Sequence, residues 1–415
     1  MPAKEAIILA GGLGTRLRSV VTDLPKCMAP VAGQPFLKHV IRYFLSQGIE
    51  KFIFSLGYKH DRIEEFLNIE FPTLNLQCSV EEEPLGTGGA VQLACKRATE
   101  SNVIVVNGDS LFKADVEKSF AFHIDSKAEC TLLMKPMRDF DRYGVVELDT
   151  DFTVKKFKEK QFYQAGDING GVYVLNVESF LDLGFPEKFS FEKNYLEKYF
   201  PSKKIFGAIQ DEYFIDIGIP EDYQRAQEEL KQIPLYLENI DPNWTLFLDR
   251  DGVINYEKEN NYILNWDEFE FYPGVTEAIS RLSKKFGAVI VISNQRGVGR
   301  GLMTEEDLLD IQARMKLRIE DDGGRVDAIY YCTATEPTHF CRKPNPGMAL
   351  QAARDFPSIN LSKSIMVGNK TSDMQFGRNA GTYTVYVKTT HPEQPLPHPD
   401  IDLAFDSLID FAKAL

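Results

Sequence analysis

The chain has 415 residues, more than one hydrophobic core usually serves, so two domains of ordinary size are expected. Its 43% hydrophobic and 26% charged residues exclude a disordered chain, and a formal net charge of -14 excludes a surface built for nucleic acid phosphates. Six thinly scattered cysteines, no apolar run near the roughly 20 residues of a membrane span, and no secretion signal after Met1-Pro2-Ala3-Lys4-Glu5 together predict a cytoplasmic protein with reduced thiols and no membrane partner.

Taken in chain order, an apolar strand at 6–10 leads through a Gly-rich turn to helical spacing at 36–45 and a further strand at 52–54. This is the alternation of a parallel sheet. Buried strands are expected again at 103–106, 130–134 and 171–175. An amphipathic helix near Glu228 gives way to Ile233-Pro234 and Asp241-Pro242, which puts a domain boundary near Ile240. The rhythm then restarts with about five parallel strands, at 245–248, 288–292, 328–331, 364–367 and 383–387, while the Pro-rich stretch 391–399 reads as a surface loop. The expected class is α/β, with domains at 1–233 and 244–415 joined by a linker at 234–243.

Gly11-Gly12-Leu13-Gly14-Thr15-Arg16-Leu17 follows the first strand directly. Glycines there let peptide N–H groups approach a phosphate, and Arg16 adds a bidentate contact. With Pro25-Lys26, Met28, Pro30 and Pro35-Phe36-Leu37, this run reproduces the opening signature of sugar nucleotidyltransferases. The first 230 or so residues resemble that family, most of all its D-glycero-α-D-manno-heptose 1-phosphate guanylyltransferases. The resemblance implies a Rossmann-like mixed sheet. It also implies that Leu9, Gly11, Gly12, Gly14 and Thr15 bind the nucleotide, joined by Glu83 and Gly88 from the segment Glu81 to Gly89, which meets base and ribose. Arg16 and Lys26 then act on the phosphates. Asp109 ends the strand 103–106, at the carboxyl edge of the sheet where open α/β folds bind ligands. By the resemblance it pairs with Asp216 as a Mg²⁺ ligand, while Glu159, Lys160, Asn169 and Gly170 hold a sugar phosphate. No protein nucleophile is needed, because the sugar 1-phosphate itself attacks the α-phosphorus.

Asp249-Arg250-Asp251-Gly252-Val253 follows the strand 245–248. Two carboxylates at a strand end can divide labour, one attacking phosphorus and the other moving protons. Ser293-Asn294-Gln295, Arg342-Lys343-Pro344 and Gly368-Asn369-Lys370-Thr371-Ser372-Asp373 follow in the order of haloacid-dehalogenase-type phosphatases, which the chain resembles from about Asn243 to its end. The subfamily most resembled is the D-glycero-D-manno-heptose 1,7-bisphosphate 7-phosphatases. The resemblance implies a second Rossmann-like domain in which Asp249 is the nucleophile and Asp251 the general acid and base. Lys343 neutralises charge, Ser293, Asn294 and Arg342 meet phosphate or substrate, and Asp249, Asp251, Asn369 and Asp373 hold Mg²⁺. Asn369 departs from the pattern, which has an aspartate there. A structural zinc loop is also incomplete: Cys332, His339 and Cys341 are present, but Ala334 stands at a ligand position, so zinc is not expected.

The two resemblances name consecutive steps. They predict a bifunctional enzyme that removes the 7-phosphate of heptose 1,7-bisphosphate and then makes GDP-heptose from GTP, with small molecules as its partners and homo-oligomers left open. The same motifs would serve a mannose or other hexose 1-phosphate, and a histidinol-phosphate-like or inactive phosphatase domain.

Overall fold

The computed structural model describes residues 3–12, 24–258 and 261–415, so Gly14, Thr15 and Arg16 of the Gly-rich run lie outside the described residues. The chain divides into two compact units, Met1–Gln232 and Ile233–Leu415. Both are α/β, and no described helix is long and apolar enough to cross a membrane.

In the first unit β1 (Glu5–Leu9) is apolar on both faces, with Ala6, Ile7 and Ile8 fully buried, as expected of a central parallel strand. It lies between β2 (Lys51–Leu56) and β4 (Asn102–Asn107), with Ile7 opposite Ile53 and Val105, and β3 (Asn75–Val80) extends the parallel half. Helix α1 (Phe36–Ser46) precedes β2 and buries Phe36, Val40, Ile41 and Phe44 along one stripe. Helix α2 (Gly86–Cys95) follows β3.

The chain then forms β5 (Ser110–Phe112), β6 (Cys130–Phe140), β7 (Tyr163–Asn176), β8 (Ile205–Ile209) and β9 (Phe214–Asp216). The main sheet runs β8-β6-β7-β4-β1-β2-β3. Its strand β7 is antiparallel to both neighbours, which makes the sheet mixed. Strands β6 and β7 reach well past the 130–134 and 171–175 expected from the sequence. Their pairing shifts register between Asn169 and Val172, where Gly171 takes φ +72°. This bulge re-aims the side chains before it.

The second unit has a six-stranded parallel sheet. Its strands are β10 (Thr245–Leu248), β11 (Ala288–Asn294), β12 (Ala328–Cys332), β13 (Ser364–Gly368), β14 (Tyr383–Val387) and β15 (Leu403–Phe405), in the order β12-β11-β10-β13-β14-β15. The short edge strand β15 adds one to the five expected. Helix α3 (Thr371–Ala380) follows β13. Within residues 234–243, expected as a linker, Leu235 and Ile240 are buried with Trp244 in this unit's core, so the segment packs as part of the second unit.

Candidate active sites of the two units

Asp109 and Asp216 are far apart in sequence, and the β5/β9 ribbon joins them. Its register sets Asp216 opposite Ser110, one residue from Asp109, and the Ile217 amide donates to the Asp109 carbonyl at 3.2 Å. Lys26 Nζ then bonds Asp109 Oδ2 at 2.6 Å and Asp216 Oδ1 at 3.2 Å. Asp216 also accepts from the Gly218 amide at 2.8 Å and from the Tyr143 hydroxyl at 3.4 Å. Two carboxylates converging on one ammonium form a donor set that suits a hard cation.

Asp109 stands at the seam of a cleft, with Asp216 on one side of it. On one side a cavity of about 420 Å³ is lined by Leu9, Gly11, Gly12, Lys26, Glu81 and Thr87. On the other a cavity of about 650 Å³ is lined by Tyr143, Glu159, Lys160, Asn169, Gly170 and Lys193. Asn107, Asp109 and Glu192 border both. The bulge residue Asn169 is pinned, donating to the Tyr173 hydroxyl at 2.8 Å and accepting from the Gly171 amide at 3.0 Å. Gly170 has no room for a side chain, since a Cβ would lie 2.5 Å from the Phe112 ring.

Two expected nucleotide residues sit elsewhere. Glu83 lines a separate concavity with Glu82 and Lys96, and Gly88 is packed so that a Cβ would strike the Phe189 ring at 2.3 Å. Glu81 lines that concavity as well, and of the three glutamates it is the one that also lines the cleft cavity. Its Oε2 accepts from the Leu85 amide at 2.8 Å, its Oε1 abuts Gly11, and burial raises its carboxyl above the ordinary range. Three consecutive glutamates gave the sequence no means of telling which one turns inward. Tyr143 and Glu192 were also missed, because each reaches the cleft only through the tertiary fold.

In the second unit Asp249 sits just past the end of β10, its amide donating to the Val367 carbonyl at 2.9 Å. Lys343 Nζ bonds Asp249 Oδ1 at 2.7 Å and Asp373 Oδ1 at 2.8 Å, and all three side chains are under a tenth exposed. Burial raises the Asp249 carboxyl, helped by Asp373 and Asp251 and opposed by Lys343. Asp251 differs. Burial raises it too, but Arg250 and the hydrogen bonds from Arg250, Asn255 and Gln295 outweigh that and leave its carboxyl below the ordinary range. Arg250 Nη2 reaches both Asp251 oxygens at 2.9 Å, Asn255 Nδ2 donates at 3.0 Å, and Gln295 Nε2 donates at 3.0 Å. Gln295 also donates to the buried Ser293 hydroxyl at 2.7 Å.

Asn294, expected on phosphate, is otherwise engaged. Its Oδ1 accepts from the Lys343 amide at 3.0 Å and its Nδ2 donates to the Lys343 carbonyl at 3.2 Å, so it holds the peptide that carries the lysine. Arg342 donates to the Ala334 carbonyl at 3.1 Å and lies near Arg296 and Arg300; burial and those two arginines lower its pKa.

The expected metal ligands of this unit divide. The Asp251 carboxylate is turned to Arg250, Asn255 and Gln295, and Asp373 accepts from Lys343 and from the Lys370 amide at 3.0 Å at the start of α3. Asn369 is fully buried, and its Oδ1 has no hydrogen-bond partner. A buried, orphaned oxygen just past the end of β13, on an amide that packs against Gly252 in the Asp249–Gly252 loop, fits a hard cation.

Cys27, Cys78, Cys95 and Cys130 are unpaired with one another, whereas the expectation of reduced thiols fails for the other two. Cys332 and Cys341 form a disulfide, because the loop leading to Arg342 folds back on the end of β12 with a Cα separation of 5.8 Å. His339 Nδ1 lies 3.1 Å from Cys341 Sγ, and Cys332, His339 and Cys341 are the one group of three histidine, cysteine or acidic side chains close enough to hold a metal ion among the described residues, but with its two sulfurs bonded to each other it offers no thiolate.

The folds and sites define an enzyme with a nucleotidyltransferase unit followed by a haloacid-dehalogenase-like phosphatase unit. Residues 5–233 match the family described as nucleotidyl transferase, and the chain belongs to that family; residues 340–410 match the HAD-hydrolase-like family. D-glycero-alpha-D-manno-heptose 1-phosphate guanylyltransferase of Aneurinibacillus thermoaerophilus is 52% identical over 227 residues, covering 55% of this chain and 98% of the relative. D-glycero-alpha-D-manno-heptose-1,7-bisphosphate 7-phosphatase of Mycobacterium bovis is 34% identical over 179 residues, covering 43% of this chain and 94% of the relative, and the second unit belongs with it. The crystal structure of HddC from Yersinia pseudotuberculosis matches 55% of this chain and all of its own, with 40% identity and a TM-score of 0.51.

Proposed function

We propose that the chain makes a GDP-activated heptose in two steps. The second unit removes the 7-phosphate of heptose 1,7-bisphosphate, and the first unit joins the remaining heptose 1-phosphate to GMP from GTP, releasing pyrophosphate. The observation that carries this reading is the contrast of sites. One is an open two-sided cleft with Asp109 at its seam, and the other is a buried carboxylate beside a lysine.

In the first unit the sugar phosphate oxygen attacks the α-phosphorus and the bond to the pyrophosphate oxygen breaks. Lys26 balances charge on the phosphoryl oxygens. Glu81 supports guanine: a carboxylate can accept from the adjacent N1–H and N2–H donors of guanine, whereas adenine, cytosine and uracil each set an acceptor beside their donor. In the second unit Asp249 attacks phosphorus, the ester bond to the sugar oxygen breaks, and that oxygen takes a proton from Asp251. Asp251 then removes a proton from the water that hydrolyses the phospho-aspartate. Asp251 rests as a carboxylate against Arg250, and an arriving phosphate dianion raises its proton affinity. Arg296, Arg300 and Arg342 provide positive charge for the second phosphate of a bisphosphate. Mg²⁺, held by Asp109 and Asp216 in one unit and by Asp249 and Asn369 in the other, would supply further positive charge to phosphoryl oxygens.

The test incubates the chain with Mg²⁺, GTP and heptose 1,7-bisphosphate and follows products by mass. GDP-heptose, phosphate and pyrophosphate are expected. Product from heptose 1-phosphate but none from the bisphosphate would remove the phosphatase half of the proposal.

A further inference from the structure

Asn369 occupies a place where the phosphatase pattern has a carboxylate, and the replacement is not symmetrical. A carboxylate offers oxygen from either side, while an amide offers one oxygen and one NH₂, and only the oxygen can ligate a hard cation. Which end is left free for a cation is therefore decided by what the other end touches. Asn369 Nδ2 lies 3.4 Å from Glu257 Oε1 and within hydrogen-bond reach of Thr390 Oγ1. A hydroxyl can donate or accept, so Thr390 is indifferent to the orientation. The Glu257 carboxylate, paired with Lys370, presents acceptors to the amide and selects its NH₂ end.

Two neighbours fix this arrangement. Lys370, the next residue along, forms an ion pair with Glu257 and keeps its carboxylate in place. Gly252, at φ +91°, leaves the amide its room: a Cβ there would lie 2.0 Å from Asn369 Nδ2 and 2.9 Å from Oδ1. The amide is thus packed on the loop that follows Asp249 and Asp251, with its oxygen buried and unpartnered.

We infer that Glu257 is a positioning residue for the divalent cation of the second unit, holding the Asn369 amide so that its oxygen, and not its nitrogen, faces the site. The inference rests on the metal-assisted phosphatase reading and is independent of which phosphomonoester is the substrate.

The experiment measures Mn²⁺ binding by electron paramagnetic resonance in the full chain carrying Asp109→Ala and Asp216→Ala, so that the remaining site is that of the second unit. Glu257→Leu is expected to weaken binding roughly tenfold, the scale of lost outer-sphere support. Glu257→Gln, which can present either end of its own amide, falls between and carries the comparison if the leucine variant does not fold. In an Asn369→Asp background the effect disappears or reverses, because a carboxylate has no wrong end and Glu257 becomes a like charge beside it. Parental affinity in a folded Glu257→Leu chain would sink the assignment, as would an equal loss in both backgrounds. Absence of any Mn²⁺ site in the parent would remove the metal reading and this inference together.

Discussion

The two units present a lysine between two aspartates in opposite surroundings. In the first, Lys26 is 13% exposed and its partners Asp109 and Asp216 are 41% and 25% exposed; in the second, Lys343, Asp249 and Asp373 are 3%, 9% and 2% exposed. The open arrangement suits a reaction between two bound ligands, where the protein provides position and countercharge. The closed one suits a protein nucleophile, whose charge must be balanced inside the unit whether or not substrate is present. On the proposed reading, the same residue types therefore carry mostly catalytic weight in one unit and both catalytic and structural weight in the other.

Truncating each lysine tests this division. Lys343→Ala leaves two buried carboxylates without their cation and is expected to destabilise the second unit by about 3–5 kcal/mol, read as a large drop in its melting transition. Lys26→Ala removes partly solvated ion pairs worth about 0–1 kcal/mol, so the first unit's melting should barely move. Its nucleotidyltransfer should nonetheless fall about 10²–10³-fold in kcat. Equal shifts in the two transitions would break the comparison.

A smaller effect sharpens the reading of the first cleft. Glu81→Gln replaces an acceptor pair with one acceptor and one donor, so the ratio of kcat/KM for GTP over UTP should fall about tenfold to a hundredfold. An unchanged ratio would move base choice to other residues.

The smallest effect concerns pH. His123 is buried in the first unit, with Nδ1 2.9 Å from Thr131 Oγ1 and Nε2 3.1 Å from Asn102 Oδ1, and burial pushes its pKa down to about 4. The unfolded chain takes up this proton near pH 6.5, ahead of the folded one, so the first unit loses stability as pH falls from about 6.5 toward 4. The loss is on the order of 1–2 kcal/mol by pH 5. His123→Asn should flatten that slope in urea titrations at several pH values, and an undiminished slope would place the acid sensitivity elsewhere.

The sequence by itself determined that this is a two-part α/β protein and put Asp109 and Asp249 at strand ends, because an apolar run followed at once by a polar motif has one place in a parallel sheet. It also put Lys26, Ser293 and Lys343 among the candidate residues. Tertiary structure decided what contacts across the chain alone can decide. The β5/β9 register brought Asp216 to Asp109, burial chose Glu81 over Glu83, and Asn294 was drawn to the Lys343 peptide. The return of a loop joined Cys332 to Cys341, and Glu257 fixed which end of Asn369 is free. Local pattern sets where a chain is buried and where it turns; which of several like side chains turns inward, and toward what, depends on partners distant in sequence.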